Sequence, residues 1–149
     1  MANETFHATT TISSRRGLQV TCQSRGKTFI LDEPESLGGT DRGMNPVEAL
    51  LNALGACKCI VIKSFARSQG MDISGVSINL EGTLDPDGFQ GKNPEAKIGF
   101  SKITSTYHFT TTNTPEELER FLEFVDARCP VMDTIVNTPV FEHHIQIDA

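Results

Sequence analysis

At 149 residues the chain has the length of one domain that buries an ordinary core without disulfide or metal staples. Its net charge of −6, the absence of Trp and a single tyrosine, Tyr107, exclude the basic, aromatic-lined face that nucleic-acid binding needs. Hydrophobic and charged fractions of 38% and 21% are those of a globular protein, and four cysteines are too few for a disulfide scaffold.

The opening run Met-Ala-Asn-Glu-Thr-Phe-His has neither the basic nor the apolar segment of a secretory leader, so a reducing cytoplasm is the expected location. In that compartment a spaced cysteine pair is more often redox-active or metal-binding than structural. Residues 5–13 and 18–24 are rich in Thr and Val with partial alternation, and Ser14-Arg15-Arg16-Gly17 reads as the turn of a hairpin. Arg25-Gly26-Lys27 turns the chain into a third short strand over 28–32. The Gly-rich connection 33–44 lacks the Lys-Ser/Thr ending of a phosphate-binding loop.

A long helix follows. Asn45 is a favoured N-cap, Pro46 at the first helical position forfeits no hydrogen bond, and Glu48 completes a capping box. From Val47 to Ile62 only Glu48, Asn52 and Lys58 interrupt apolar or small residues, so burial around nearly the whole circumference is expected. The apolar stretches are too short to cross a bilayer, and Lys58 lies in their middle, so no membrane partner is expected. After Gly70, residues 73–84 place Val76, Ile78 and Leu80 on one face of a strand. A turn at Asp85-Pro86-Asp87-Gly88 and a polar loop lead to a strand over 96–112, with a bulge or bend between Phe100 and Ile103. Thr114-Pro115-Glu116-Glu117 repeats the cap, Pro and capping-box pattern before a helix striped by Leu118, Phe121, Leu122 and Val125. Pro130 restarts a short helix directly after Cys129, and a terminal strand is expected over 139–148. Helices segregated from antiparallel strands make an α+β domain spanning 1–149.

Cys129, at a helix N-terminus, faces unpaired N–H groups and the positive end of the helix dipole, which favour its thiolate; the alternative is a buried small hydrophobe. Cys57 and Cys59 point about 200° apart on their helix, so they do not bridge each other and only one can face a shared site. A zinc site would need a companion pair, and His7, His108, His143 and His144 sit on strand patterns without one, so neither metal nor cofactor is expected.

Together, Asn45-Pro46-x-Glu48-x-Leu50, Leu54-Gly55-Ala56-Cys57, the segment 73–82 and Cys129-Pro130-Val131 resemble the OsmC/Ohr family of osmotically inducible and organic-hydroperoxide-resistance proteins. The resemblance implies an intertwined homodimer in which antiparallel sheets wrap around long central helices. It also implies that Cys57 attacks a peroxide and Cys129 resolves the sulfenic acid as a disulfide, with Cys22 and Cys59 as packing residues. The substrate would be an organic hydroperoxide or other small apolar oxidant, and an external dithiol would recycle the enzyme. A helix-buried thiol needs a nearby cation to ionise at neutral pH, and the family's hairpin arginine corresponds best to Arg15, with Arg16 second. The family's Glu that holds this arginine follows directly after Asn-Pro, where this chain has Val47. Glu48 precedes Cys57 by nine residues, about 900° of rotation, which turns it to the opposite side of the helix. That departure keeps a non-catalytic redox-sensing or small-ligand-binding dimer, or an interaction protein with inert thiols, as alternatives to a peroxidase.

Overall fold

Three short strands open the chain: β1 (Thr9–Ile12), β2 (Val20–Ser24) and β3 (Lys27–Leu31) form an antiparallel meander in the order β1-β2-β3. The computed structural model describes residues 2–13 and 17–148, so Arg15 and Arg16 lie outside the described residues. Between β2 and β3, Arg25 and Gly26 both adopt positive φ (51° and 76°), the mirror-image turn that matches the twist of a two-residue hairpin.

The connection that follows is organised by one carboxylate. Asp32, fully buried, accepts hydrogen bonds from the Thr40 hydroxyl (2.6 Å) and from the N–H groups of Glu33 (2.8 Å), Arg42 (3.0 Å) and Thr40 (3.2 Å). The Thr40 hydroxyl does most to hold this carboxyl at about 2, against the opposing effect of burial and with help from the three amides. The tight loop thus has its own internal hydrogen-bond acceptor.

Helix α1 (Pro46–Phe65) starts as its capping box dictates: Glu48 N–H donates to Asn45 Oδ1 and Asn45 N–H to Glu48 Oε1, both at 2.9 Å. The chain divides into two compact units, Met1–Asn52 and Ala53–Ala149, joined within this helix. In the second unit β4 (Ile73–Thr83) and β5 (Lys102–Thr111) form an antiparallel pair. A short helix, α2 (Pro86–Phe89), lies in their connection, and α3 (Pro115–Arg128) and α4 (Pro130–Val136) follow. The core of this unit is Val61, Ile62 and Ala66 of α1 and its C-terminal end against Phe121 and Val125 of α3, flanked by Val76, Ile78, Tyr107 and Phe109. Gly55 brings α1 close to the strands, since a Cβ there would stand 2.6 Å from Leu80 Cδ1.

The α+β class and the capped helix starts agree with the sequence reading, but four details differ. No strand forms over 139–148: the segment has no regular secondary structure, and Val140, Phe141, Ile145 and Ile147 are between 83% and 89% exposed. The second long strand begins only at Lys102, and the pairing irregularity lies at Ile73/Gly75 rather than between Phe100 and Ile103. His108 is on β5, beside Asn79 of β4, while His7, His143 and His144 lie outside the strands. Burial of α1 is one-sided: Leu54, Gly55, Lys58, Val61 and Ile62 are covered, whereas Ile60 is 65% exposed, because this chain packs only one face of the helix. Among the described residues no helix is long and apolar enough to cross a membrane.

Candidate active site

The C-terminal half of α1 and the junction of α3 with α4 bring two of the four thiols together. Cys57 and Cys129, 72 residues apart in sequence, have their Sγ atoms 2.9 Å apart, with the Cys129 S–H directed at Cys57. Both are free thiols. Closing a disulfide, with an S–S bond of about 2.05 Å, requires sulfur movement of under about 1 Å. Cys59, one side of the helix away, stays partly buried and free, and Cys22 is buried on β2 in the first unit.

Cys129 owes its position to the break between two helices. α3 is anchored at its start by a full capping box, in which Glu117 N–H donates to Thr114 Oγ1 (3.2 Å) and Thr114 N–H to Glu117 Oε2 (2.9 Å). Pro130 then ends that helix and begins α4, leaving Cys129 extended as the residue between them. Met132 N–H donates to Cys129 Sγ at 3.4 Å, the thiol equivalent of an N-cap. Its place at a helix N-terminus alone would favour the thiolate. The structure reverses the sign: burial, with 1% of the residue exposed, pushes the Cys129 thiol above its ordinary value, and donation to Cys57 holds its proton further, outweighing the Met132 amide.

Next to Cys57 on α1, and bonded to Asp126 one turn of α3 before Cys129, lies a group not selected from the sequence. Lys58, 4% exposed, donates from Nζ to Asp126 Oδ1 at 2.8 Å and to Tyr107 Oη at 3.0 Å. Burial works against the charged form, but the Asp126 carboxylate and the Tyr107 hydroxyl outweigh it and raise the Lys58 ammonium above its ordinary value. Burial raises Tyr107 despite the adjacent ammonium, so its hydroxyl stays protonated at neutral pH. The available signal was a lone cation in the apolar middle of a helix, but its partners lie 49 and 68 residues away.

A cavity of about 280 Å³ adjoins these elements, walled by Leu54, Phe100, Ile103, Met132 and Ile135, with Lys102 and two serines among its polar groups. Leu54 is one helical turn before Cys57, and Met132 is the residue whose amide caps Cys129. The cavity shares α1 and α4 with the thiol pair, although neither cysteine lines it. Among the described residues, no group of three or more His, Cys, Asp or Glu side chains could hold a metal ion.

The family described as OsmC-like protein matches residues 39–144 of the chain. The chain is 26% identical over 107 residues to a hydroperoxide reductase of Mycoplasma genitalium, covering 71% of this chain and 72% of that protein. In fold it is similar to the crystal structure of an OsmC-like protein from Mycoplasma pneumoniae, with a TM-score of 0.77 and 22% identity over 92% of this chain and 91% of that one. It is also similar to an organic hydroperoxide resistance protein OsmC from Legionella pneumophila, with a TM-score of 0.66 and 25% identity over 92% and 93% of the two chains.

Proposed function

The chain belongs to the family of OsmC-like proteins, and from that premise we propose that it is a cytoplasmic thiol-dependent peroxidase for organic hydroperoxides, with Cys57 as the attacking and Cys129 as the resolving cysteine. The observation that carries the reading is the 2.9 Å approach of the two sulfurs. In the first step the Cys57 thiolate takes the terminal oxygen of ROOH, forming Cys57 sulfenic acid and releasing an alkoxide that leaves as ROH after protonation. In the second, Cys129 sulfur attacks Cys57 sulfur; the sulfenic hydroxyl departs and combines with the Cys129 proton as water. An external dithiol then reduces the disulfide, so the balance is ROOH plus dithiol to ROH, water and disulfide. Arg15 is proposed as the cation that sustains the Cys57 thiolate. The largely apolar cavity lined by Leu54 and Met132, residues near the two cysteines in sequence, suits the hydrocarbon part of such an oxidant.

The matched span, 39–144, takes in the end of the first compact unit and nearly all of the second, and one OsmC-like domain over 1–149 is part of the proposal. A homodimer is part of the proposal: the exposed side of α1 at Ile60 and the unpaired apolar segment 139–148 are surfaces that a second copy would cover, completing sheets wrapped around the long helices. Sedimentation should then give about twice the chain mass at micromolar concentration, and a stable monomer would remove that part of the proposal.

A second reading has its own observation. Val47 stands where the arginine-holding Glu is expected, and Glu48 is engaged in its own helix cap, which favours a non-catalytic redox-sensing or ligand-binding dimer. Mass spectrometry after one equivalent of an organic hydroperoxide, with peptide mapping, separates the two. A Cys57–Cys129 cross-link formed within seconds and reversed by a dithiol supports the peroxidase; thiols left unmodified would sink it.

A further inference from the structure

The thiol pair and the buried ion pair form consecutive rungs between the same two elements. Cys57 of α1 meets Cys129 at the end of α3, and the next residue, Lys58, meets Asp126, one helical turn back along α3. Lys58 also ties both to the strand pair through Tyr107. An ammonium that is 4% exposed cannot wander, because leaving Asp126 and Tyr107 would strand it in an apolar surround. The same groups connect electrically to the sulfurs, since a Cys129 thiolate lies near enough to disfavour ionisation of Tyr107.

Resting on the peroxidase reading for its context, we propose that Lys58 is a positioning residue for the Cys57–Cys129 pair: by clamping Asp126 and Tyr107 it sets the register of α1 against α3 and thereby holds Cys129 sulfur in line with Cys57. The thiols by themselves do not fix that register. Their contact is one weak hydrogen bond at the junction of two helices, whereas the adjacent charge-assisted bonds at 2.8 and 3.0 Å involve a buried ammonium. Misplacement of reacting atoms by about 1 Å costs about a hundredfold in rate, so loss of the clamp is read most directly in the rate of disulfide closure.

The test needs no peroxide. In a Cys22→Ala, Cys59→Ala background, an aromatic disulfide whose thiol is coloured reacts first with Cys57, giving the mixed disulfide and one aromatic thiol. Cys129 sulfur then displaces the second aromatic thiol, its proton going to solvent, and closes Cys57–Cys129. The second, unimolecular phase measures positioning, and the first measures Cys57 alone. Lys58→Met fills the site with an apolar chain and leaves Asp126, 44% exposed, to water, so the fold should survive. Asp126→Ala removes the clamp from the other side. Both variants are expected to keep the first phase and to slow the second at least about tenfold. Either variant closing at the parental rate while folded by circular dichroism overturns the inference, as does a parent protein with no second phase. A protein that closes with the reagent, slows in both variants, yet ignores hydroperoxide would refute the peroxidase reading and leave Lys58 in its role.

Discussion

Cys129 should limit the speed at which the disulfide closes, and pH is the perturbation that shows it. Its thiol stands above the ordinary value of 9.0 because burial opposes the anion and Cys57 accepts its hydrogen. Throughout the neutral range the reactive thiolate is then a minor species that grows about tenfold per pH unit, so closure of a Cys57 mixed disulfide should accelerate about a hundredfold from about pH 6 to about pH 8. An aromatic leaving group is suited to the assay because it departs as an anion across that range, leaving Cys129 as the group that titrates in this step. Stopped-flow absorbance gives the unimolecular rate directly. The same shift predicts a stability effect whose sign can be checked. A group with a raised folded value contributes stability that is complete below its unfolded value and is lost as pH rises through the folded one. The dithiol form should therefore lose melting temperature above about pH 9, whereas the disulfide form lacks this contribution from Cys129. A closure rate that levels off at or below neutral pH would refute the reasoning, because it would mean that the helix N-terminus, not burial, governs this thiol.

Other perturbations test the frame that holds the pair. Ile62 is 1% exposed in the core with Phe121 and Val125, so Ile62→Ala should cost about 2 to 5 kcal/mol in urea unfolding; a cost under about 1 kcal/mol would mean that the core is not built around α1. Thr114→Ala removes one half of the capping box and should cost about 1 kcal/mol, with hydrogen exchange rising first in the opening turn of α3. Asp32→Asn should destabilise the protein at neutral pH, because a carboxylate held at about 2 contributes stability above its ordinary 3.8 and loses it as pH falls through the folded value. The gap between parent and variant must close by about pH 2; a gap independent of pH would assign the loss to packing.

The readable parts of the sequence were those with local chemistry. Asn45 with Glu48 and Thr114 with Glu117 are hydrogen-bond pairs three residues apart, and each helix begins where they place it. The strand over 73–84 announced itself by alternation and differs by one residue from β4. The expected strand over 139–148 has strand chemistry but no strand to pair with, since alternation reports a face to be covered and does not say which chain covers it. Cys57 and Cys129 could be selected from the resemblance, yet their spacing in sequence says nothing of a 2.9 Å contact. Lys58 was legible only as an interruption of an apolar run. Its role depends on Asp126, which neighbours the apolar stripe of α3, and on the hydroxyl of Tyr107 at the inward face of β5.

A buried thiol with a raised pKa is a poor first nucleophile, and on the proposed reading that suits Cys129. Held mainly as the thiol at neutral pH, it is a weak competitor for oxidant in solution. Once Cys57 sulfur is oxidised, however, the comparison is no longer between two thiols in solution. The deficit in thiolate stands against effective molarities of about 10⁵ M or more for well-oriented intramolecular reactions. Proximity wins by orders of magnitude, provided that the 2.9 Å geometry is held. On the proposed reading burial assigns the order of events, delaying Cys129 until Cys57 has reacted, and the proposed clamp one residue along α1 keeps the delayed thiol in place.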